Sequence, residues 1–158
     1  MKSTGSMPEA KKSAPRILVD ADGCPVVDEA ISIARQFGLE CLLFCDTAHE
    51  YEKDGAQTLV FSKGPDSVDF GLVNTVRPGD TVVTQDYGLA TLCLARSARV
   101  IDQNGMEYTS ANIDSLLEAR HFAKKVRRGG GRLKGPPKRT PGQDEAFTRT
   151  LVRLLEGG

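Results

Sequence analysis

Short aliphatic runs alternate with longer stretches of helical periodicity from residue 16 onward, a rhythm that predicts strands and helices in βαβ order. The strands fall at Arg16–Asp20, Leu39–Cys45, Thr58–Phe61, Thr81–Gln85 and Arg99–Ile101. Pro25 at a first-turn position opens a helix that runs to Phe37, with Val26, Val27, Ala30, Ile31 and Ala34 as its apolar face and Gly38 as its stop. Asp66 begins a second helix that runs to about Val76, and Arg77-Pro78-Gly79-Asp80 turns the chain into the next strand. A third helix, Gly88 to Ser97, is almost wholly apolar and is expected to be buried. Asn104-Gly105 marks a turn, after which Thr109 or Ser110 caps a helix whose Ile113, Leu116, Leu117 and Arg120 share a face. Thr140-Pro141-Gly142-Gln143 fits a capping box, and Phe147, Leu151, Leu154 and Leu155 then form a stripe that docks a final helix on the core. Alternation of this kind argues for an α/β fold with a mainly parallel sheet.

At 158 residues the chain suits one domain. Residues 1–15, rich in Ser, Lys, Ala, Gly and Pro, read as a disordered extension, and residues 16–158 as a single domain with a basic loop at about 120–140. No apolar run approaches the roughly 18–20 residues of a membrane span and no apolar leader core is present, so a cytoplasmic protein that does not meet the membrane is expected. Cys24, Cys41, Cys45 and Cys93 form no C-x-x-C pair and only two histidines accompany them, which argues against a structural zinc site. Cys41 and Cys45 are expected as small buried residues on one strand face, and Cys24 as a buried thiol below the neighbouring acids.

The net charge of zero conceals two unlike parts. Residues 16–119 hold seventeen acids against seven Lys and Arg, whereas residues 120–139 hold nine Lys and Arg and no acid. A protein that handles a polyanion would show this asymmetry, with acids for cations and a basic arm for phosphates. A solubilising charged tail would show it as well.

The acids themselves are placed tellingly. Asp20 and Asp22 lie where a strand gives way to a helix, on one side of the chain if the strand persists, and Asp86 lies at the end of another strand with Thr84 two residues back on the same face. Asp66 and Asp69 share a face of a helix start, one of them as a helix cap. In open α/β sheets ligands bind beyond the carboxyl ends of the strands, and nearby carboxylates repel unless protons or cations compensate them. Oxygen-only donors suit Mg²⁺ or Mn²⁺, which lower the pKa of a bound water and stabilise charge on a phosphate under attack. Asp20, Asp22, Asp69 and Asp86 are therefore the candidate catalytic and metal-binding residues. Asp80 reads as a turn residue, Asp102 as a turn cap, Asp28 as a helix-surface charge and His49 as a solvated side chain in a polar loop at 46–57.

Three blocks, Val19-Asp20-Ala21-Asp22-Gly23-Cys24-Pro25-Val26, Ser67-Val68-Asp69 and Gly79 to Ala90 with its Thr84-Gln85-Asp86, resemble the signatures of the YaiI/YqxD family of bacterial proteins. The likeness extends to Lys134-Gly135-Pro136-Pro137-Lys138 and spans Arg16 to Leu155. It implies a three-layer α/β/α sandwich similar to PIN-domain nucleases, whose clustered acids bind Mg²⁺ or Mn²⁺ and cut RNA. Asp20 and Asp22 match the family's paired-acid block, Asp69 the acid of its helix block and Asp86 that of its strand-end block. Gly23 stands where many members have Ala, a change expected to loosen the turn, and Val68 stands where Ala is common.

The function expected is metal-dependent phosphodiester hydrolysis, with RNA favoured over DNA. Lys124, Lys125, Arg127, Arg128, Arg132, Lys134, Lys138 and Arg139 would bind the nucleic-acid phosphates. Asp20-Ala21-Asp22-Gly23 also resembles the opening motif of haloacid-dehalogenase-type phosphatases, with Asp20 as nucleophile, but the later Gly79-Asp80 precedes its strand where that family's follows one. A non-catalytic RNA-binding protein is the third reading. Only nine of the 158 residues are aromatic, which weighs against base stacking as its main mode.

Overall fold

The structure, a computed structural model, describes residues 14–46, 52–64, 66–119 and 138–157. Strands β1 (Arg16–Asp20), β2 (Glu40–Cys45), β3 (Gln57–Val60), β4 (Thr81–Val83), β5 (Arg99–Ile101) and β6 (Glu107–Tyr108) form one sheet in the order β3-β2-β1-β4-β5-β6. Every neighbouring pair is parallel except β5 and β6. Successive side chains of a strand point to opposite faces, so the central strands feed two cores. Ile17, Val19, Cys41, Leu43, Cys45, Val83 and Ile101 enter one, and Leu18, Leu42, Phe44, Val82 and Val100 enter the other. Burial on both faces is why these strands read as unbroken aliphatic runs.

Helices α1 (Val27–Phe37) and α5 (Pro141–Gly157) cover the first face through Ala30, Ile31, Ala34, Phe147 and Leu151. The second face is covered by α2 (Ser67–Thr75), α3 (Tyr87–Ala95) and α4, helical over 113–119, through Leu72, Leu89, Cys93 and Ile113. The result is the three-layer α/β/α sandwich expected. Local signals act as read: Gly38 takes φ 66° and donates its N–H to the carbonyls of Ala34 and Arg35, ending α1. The Thr140 N–H donates to Gln143 Oε1 at 2.8 Å, half of the capping box.

Three elements depart from the sequence reading. α1 begins at Val27 with Val26 at the N-cap position, so Pro25 precedes the helix instead of opening it. α3 is not buried all round: Leu89, Ala90 and Cys93 meet the sheet while Leu92 is 49% exposed, because a helix in an outer layer covers the sheet with one face only. β6 was not foreseen, since two residues carry no periodicity; it pairs back on β5 after a turn whose backbone N–H groups at Asn104 and Met106 donate to Asp102 Oδ1.

At the amino-terminal ends of β1 and β4, Asp80 is far more than a turn residue. It is 1% exposed, and it accepts from the Arg16 guanidinium at 2.7 and 3.3 Å and from the backbone N–H groups of Arg16 and Arg77. The sequence reading missed this because the partner lies 64 residues away. At the opposite end of the same strands the topology opens a crevice. The chain moves outward from β1 through β2 to β3, then returns to place β4 on the other side of β1. That reversal makes the β1–β4 carboxyl ends the switch point of the sheet.

Candidate active site: an acidic cleft at the switch point

The β1–β4 register aligns Val19 with Val83, so the next residues, Asp20 and Thr84, stand side by side on the α2–α3 face. Thr84 is buried, and its Oγ1 donates to Asp20 Oδ2 at 2.7 Å while accepting from the Asp86 N–H at 3.0 Å. One hydroxyl thus ties the acid of β1 to the acid that follows β4. Asp86 is also the N-cap of α3, its Oδ1 accepting from the Leu89 N–H at 3.1 Å. Cap and cleft acid are the same side chain.

β1 ends at Asp20, and Asp22 reaches the cleft from a turn instead of from a continued strand. Its Oδ2 accepts from the Asp46 N–H at 3.0 Å, tying the turn to the end of β2. Gly23 takes φ 73° in that turn, a left-handed conformation that glycine adopts without strain. The glycine therefore shapes the turn and does not simply loosen it. Asp69 lies half-buried in the first turn of α2, with Asp66 at the N-cap position. A cleft of about 510 Å³ is lined by Asp20, Asp22, Gln85, Asp86 and Tyr87. Three of the four candidate acids line it. Asp69 stands outside the lining but within electrostatic reach of Asp20 and Asp86.

Burial pushes the Asp20 carboxyl up to about 6, with repulsion from Asp69, Asp86 and Asp22 adding to it and the Thr84 hydrogen bond opposing it. Asp69 is raised as well, first by burial and then by Asp86 and Asp66. Acids from three separate segments, the end of β1, the start of α2 and the β4–α3 junction, thus share one electrostatic neighbourhood. Among the described residues, however, no group of three or more His, Cys, Asp or Glu side chains is gathered closely enough to hold a metal ion by itself. Capping and turn hydrogen bonds hold the Asp86 and Asp22 carboxylates where their backbone partners require them.

Of the basic residues assigned to phosphates, Lys124, Lys125, Arg127, Arg128, Arg132 and Lys134 lie outside the described residues, as does His49. Lys138 is exposed. Arg139 is half-buried and bonded to protein: to Asp144 Oδ1 at 2.7 Å, Asn104 Oδ1 at 2.6 Å and the Gln103 carbonyl at 2.7 Å. It anchors the start of α5 to the β5–β6 turn. The cysteines are thiols; Cys41, Cys45 and Cys93 are buried and Cys24 is half-buried, with burial raising its thiol to about 11. Gln85 and Tyr87 were absent from the sequence-derived site, and Thr84 entered only as a neighbour of Asp86. The T-x-D spacing was legible, but the bond to Asp20 required the register.

The model of a family described as "Uncharacterized BCR, YaiI/YqxD family" matches residues 18–157, a span that contains all four acids. The chain belongs to the YaiI/YqxD family. Similar members are each called UPF0178 protein: one from Exiguobacterium sibiricum is 54% identical over 140 residues, covering 89% of this chain and 96% of the relative. Another, from Ruminiclostridium cellulolyticum, is 44% identical over 141 residues, covering 89% and 92%. A third, from Clostridium acetobutylicum, is 42% identical over 145 residues, covering 90% and 98%. No solved structure matches the chain. Among the described residues of this family member, no helix is long and apolar enough to cross a membrane.

Proposed function

We propose that the cleft is the site of a divalent-cation-dependent phosphodiester hydrolase, with RNA as the favoured substrate, in a domain of the PIN-like kind. The observation that carries this reading is Asp20: a carboxyl at the sheet's switch point, raised first by burial and then by three other aspartates, and steadied by the Thr84 hydroxyl. A protein tolerates such repulsion where a ligand relieves it. The donors are oxygen only, which suits Mg²⁺ or Mn²⁺. Mg²⁺ typically takes one or two carboxylates and completes its shell with water and substrate phosphate, so a site without three gathered protein ligands accords with that chemistry.

Asp20 and Asp86 would hold the cation, with Asp22 and Asp69 adding negative charge around it. The ion, when bound, supplies Lewis acidity at a phosphate oxygen and a more acidic water. Thr84 orients both principal carboxylates, through Oγ1 to Asp20 and through the Asp86 backbone. Lys138 and the basic residues that precede it would hold flanking phosphates and make binding salt-dependent.

Labelled single-stranded RNA incubated with the protein and Mn²⁺ tests the proposal. Cleavage should depend on the cation, and Asp20→Asn should lower its rate beyond the roughly 10–100-fold typical of a residue that only supports a metal ligand. Undiminished cleavage by Asp20→Asn would remove the assignment. Trapping of an acylphosphate on Asp20 with a phosphomonoester would replace it with the phosphatase reading.

A further inference from the structure

Tyr87 is the one aromatic side chain among the residues that line the acidic cleft. It opens α3 directly after Asp86, whose carboxylate caps that helix, so the ring and the carboxylate belong to one fixed turn. Tyr87 also packs edge-to-face on Tyr108, with ring centroids 5.8 Å apart and planes at 65°. Tyr108 is 1% exposed and belongs to the core beneath α3, so the wall behind Tyr87 is rigid. Gly88, the next residue, is exposed and carries no side chain beside the carboxylate; a Cβ there would lie 3.3 Å from Asp86 Oδ1. A half-buried aromatic ring thus stands on the wall of a polar cleft, braced from behind, one residue from a candidate phosphate-directed acid.

We infer that Tyr87 forms a nucleobase subsite, stacking on the base of a nucleotide whose phosphate lies at the acids, so that the cleft selects a single-stranded nucleic acid over a simple phosphodiester. This rests on the hydrolase reading for the phosphate's place, while the aromatic contact stands on the geometry of Tyr87 alone. An unpaired base offers a face to the ring, whereas a base stacked in a duplex does not. Stacking of this kind tolerates every base, so the subsite would confer preference for single strands and little sequence preference. The cleft volume of about 510 Å³ lies within the roughly 300–1,000 Å³ of small-ligand sites, room for one nucleotide.

The test reads binding, which needs no cleavage. A short fluorescently labelled oligoribonucleotide is titrated into the full chain by anisotropy, in parallel with the same oligomer made abasic throughout. Tyr87→Leu should weaken binding of the normal oligomer about ten-fold and leave the abasic oligomer unchanged. Tyr87→Phe, which keeps the ring, should bind as the natural protein does. Because the sequence has no Trp and three Tyr, quenching of tyrosine fluorescence by the bound normal oligomer, lost in Tyr87→Phe, gives an independent signature. Equal affinity of Tyr87→Leu and the natural protein for the normal oligomer overturns the inference, and so does equal weakening for both oligomers with the melting temperature unchanged. A protein that shows the base-dependent difference but cleaves nothing with Mn²⁺ keeps the subsite and loses the hydrolase reading; one that cleaves without the difference does the reverse.

Discussion

The two ends of β1 and β4 carry opposite solutions to the same problem, a carboxylate withdrawn from water. At the amino-terminal end Asp80 is buried against the Arg16 guanidinium and two backbone N–H groups, with Arg16 bonded in turn to the Thr75 carbonyl. At the carboxyl end, about one strand length away, Asp20 meets a threonine hydroxyl and the repulsion of three acids. The first arrangement neutralises its charge internally and offers nothing to a ligand. The second leaves negative charge at a cleft, where a cation would complete it. Repulsion among carboxylates at one end of a pair of strands whose other end is neutralised by an arginine sets the two ends apart.

Breaking the paired end has the largest expected effect. Asp80→Ala leaves the Arg16 charge buried without its partner and should lower unfolding free energy by about 3–5 kcal/mol in chemical denaturation. The opposite end should respond with the opposite sign. Asp20→Asn keeps an acceptor for Thr84 and removes a charge whose ionisation opposes folding, so at pH 7 it should gain about 1–3 kcal/mol, from a shift of about two pKa units at about 1.4 kcal/mol each. The sign follows from the raised value: the folded state holds the proton more tightly, so Asp20 weakens stability progressively as pH rises from about 4 to about 6. The gap between Asp20→Asn and the natural protein should therefore close below about pH 4, and a gap independent of pH would refute this origin. The smallest effect belongs to the threonine that divides the two principal acids. Thr84→Val should lose about 1–2 kcal/mol through the unmade bond to Asp86 N–H. It should also push the Asp20 titration, followed by carboxyl NMR, further upward, with Thr84→Ser restoring it.

Much of this molecule was legible in its sequence. Strands buried on both faces appear as uninterrupted aliphatic runs, and Gly38 and the Thr140–Gln143 box end and begin helices through bonds made within four residues. β6 escaped because two paired residues have no pattern of their own. The exposure of Leu92 escaped because composition reports how apolar a helix is and not which of its faces meets the sheet.

For the site, the sequence determined which acids stand at strand ends and helix starts, since those positions follow from local pattern. Only the tertiary structure decided which acids are spent on the fold and which face one another, because compensation is a property of distance in space. Along the chain Asp80 and Asp20 differ only in place, one before a strand and one at the end of another, and nothing local tells which carboxylate is neutralised. An arginine 64 residues from one, and a register that sets Thr84 beside the other, make one a brace and the other the centre of a repulsive cluster.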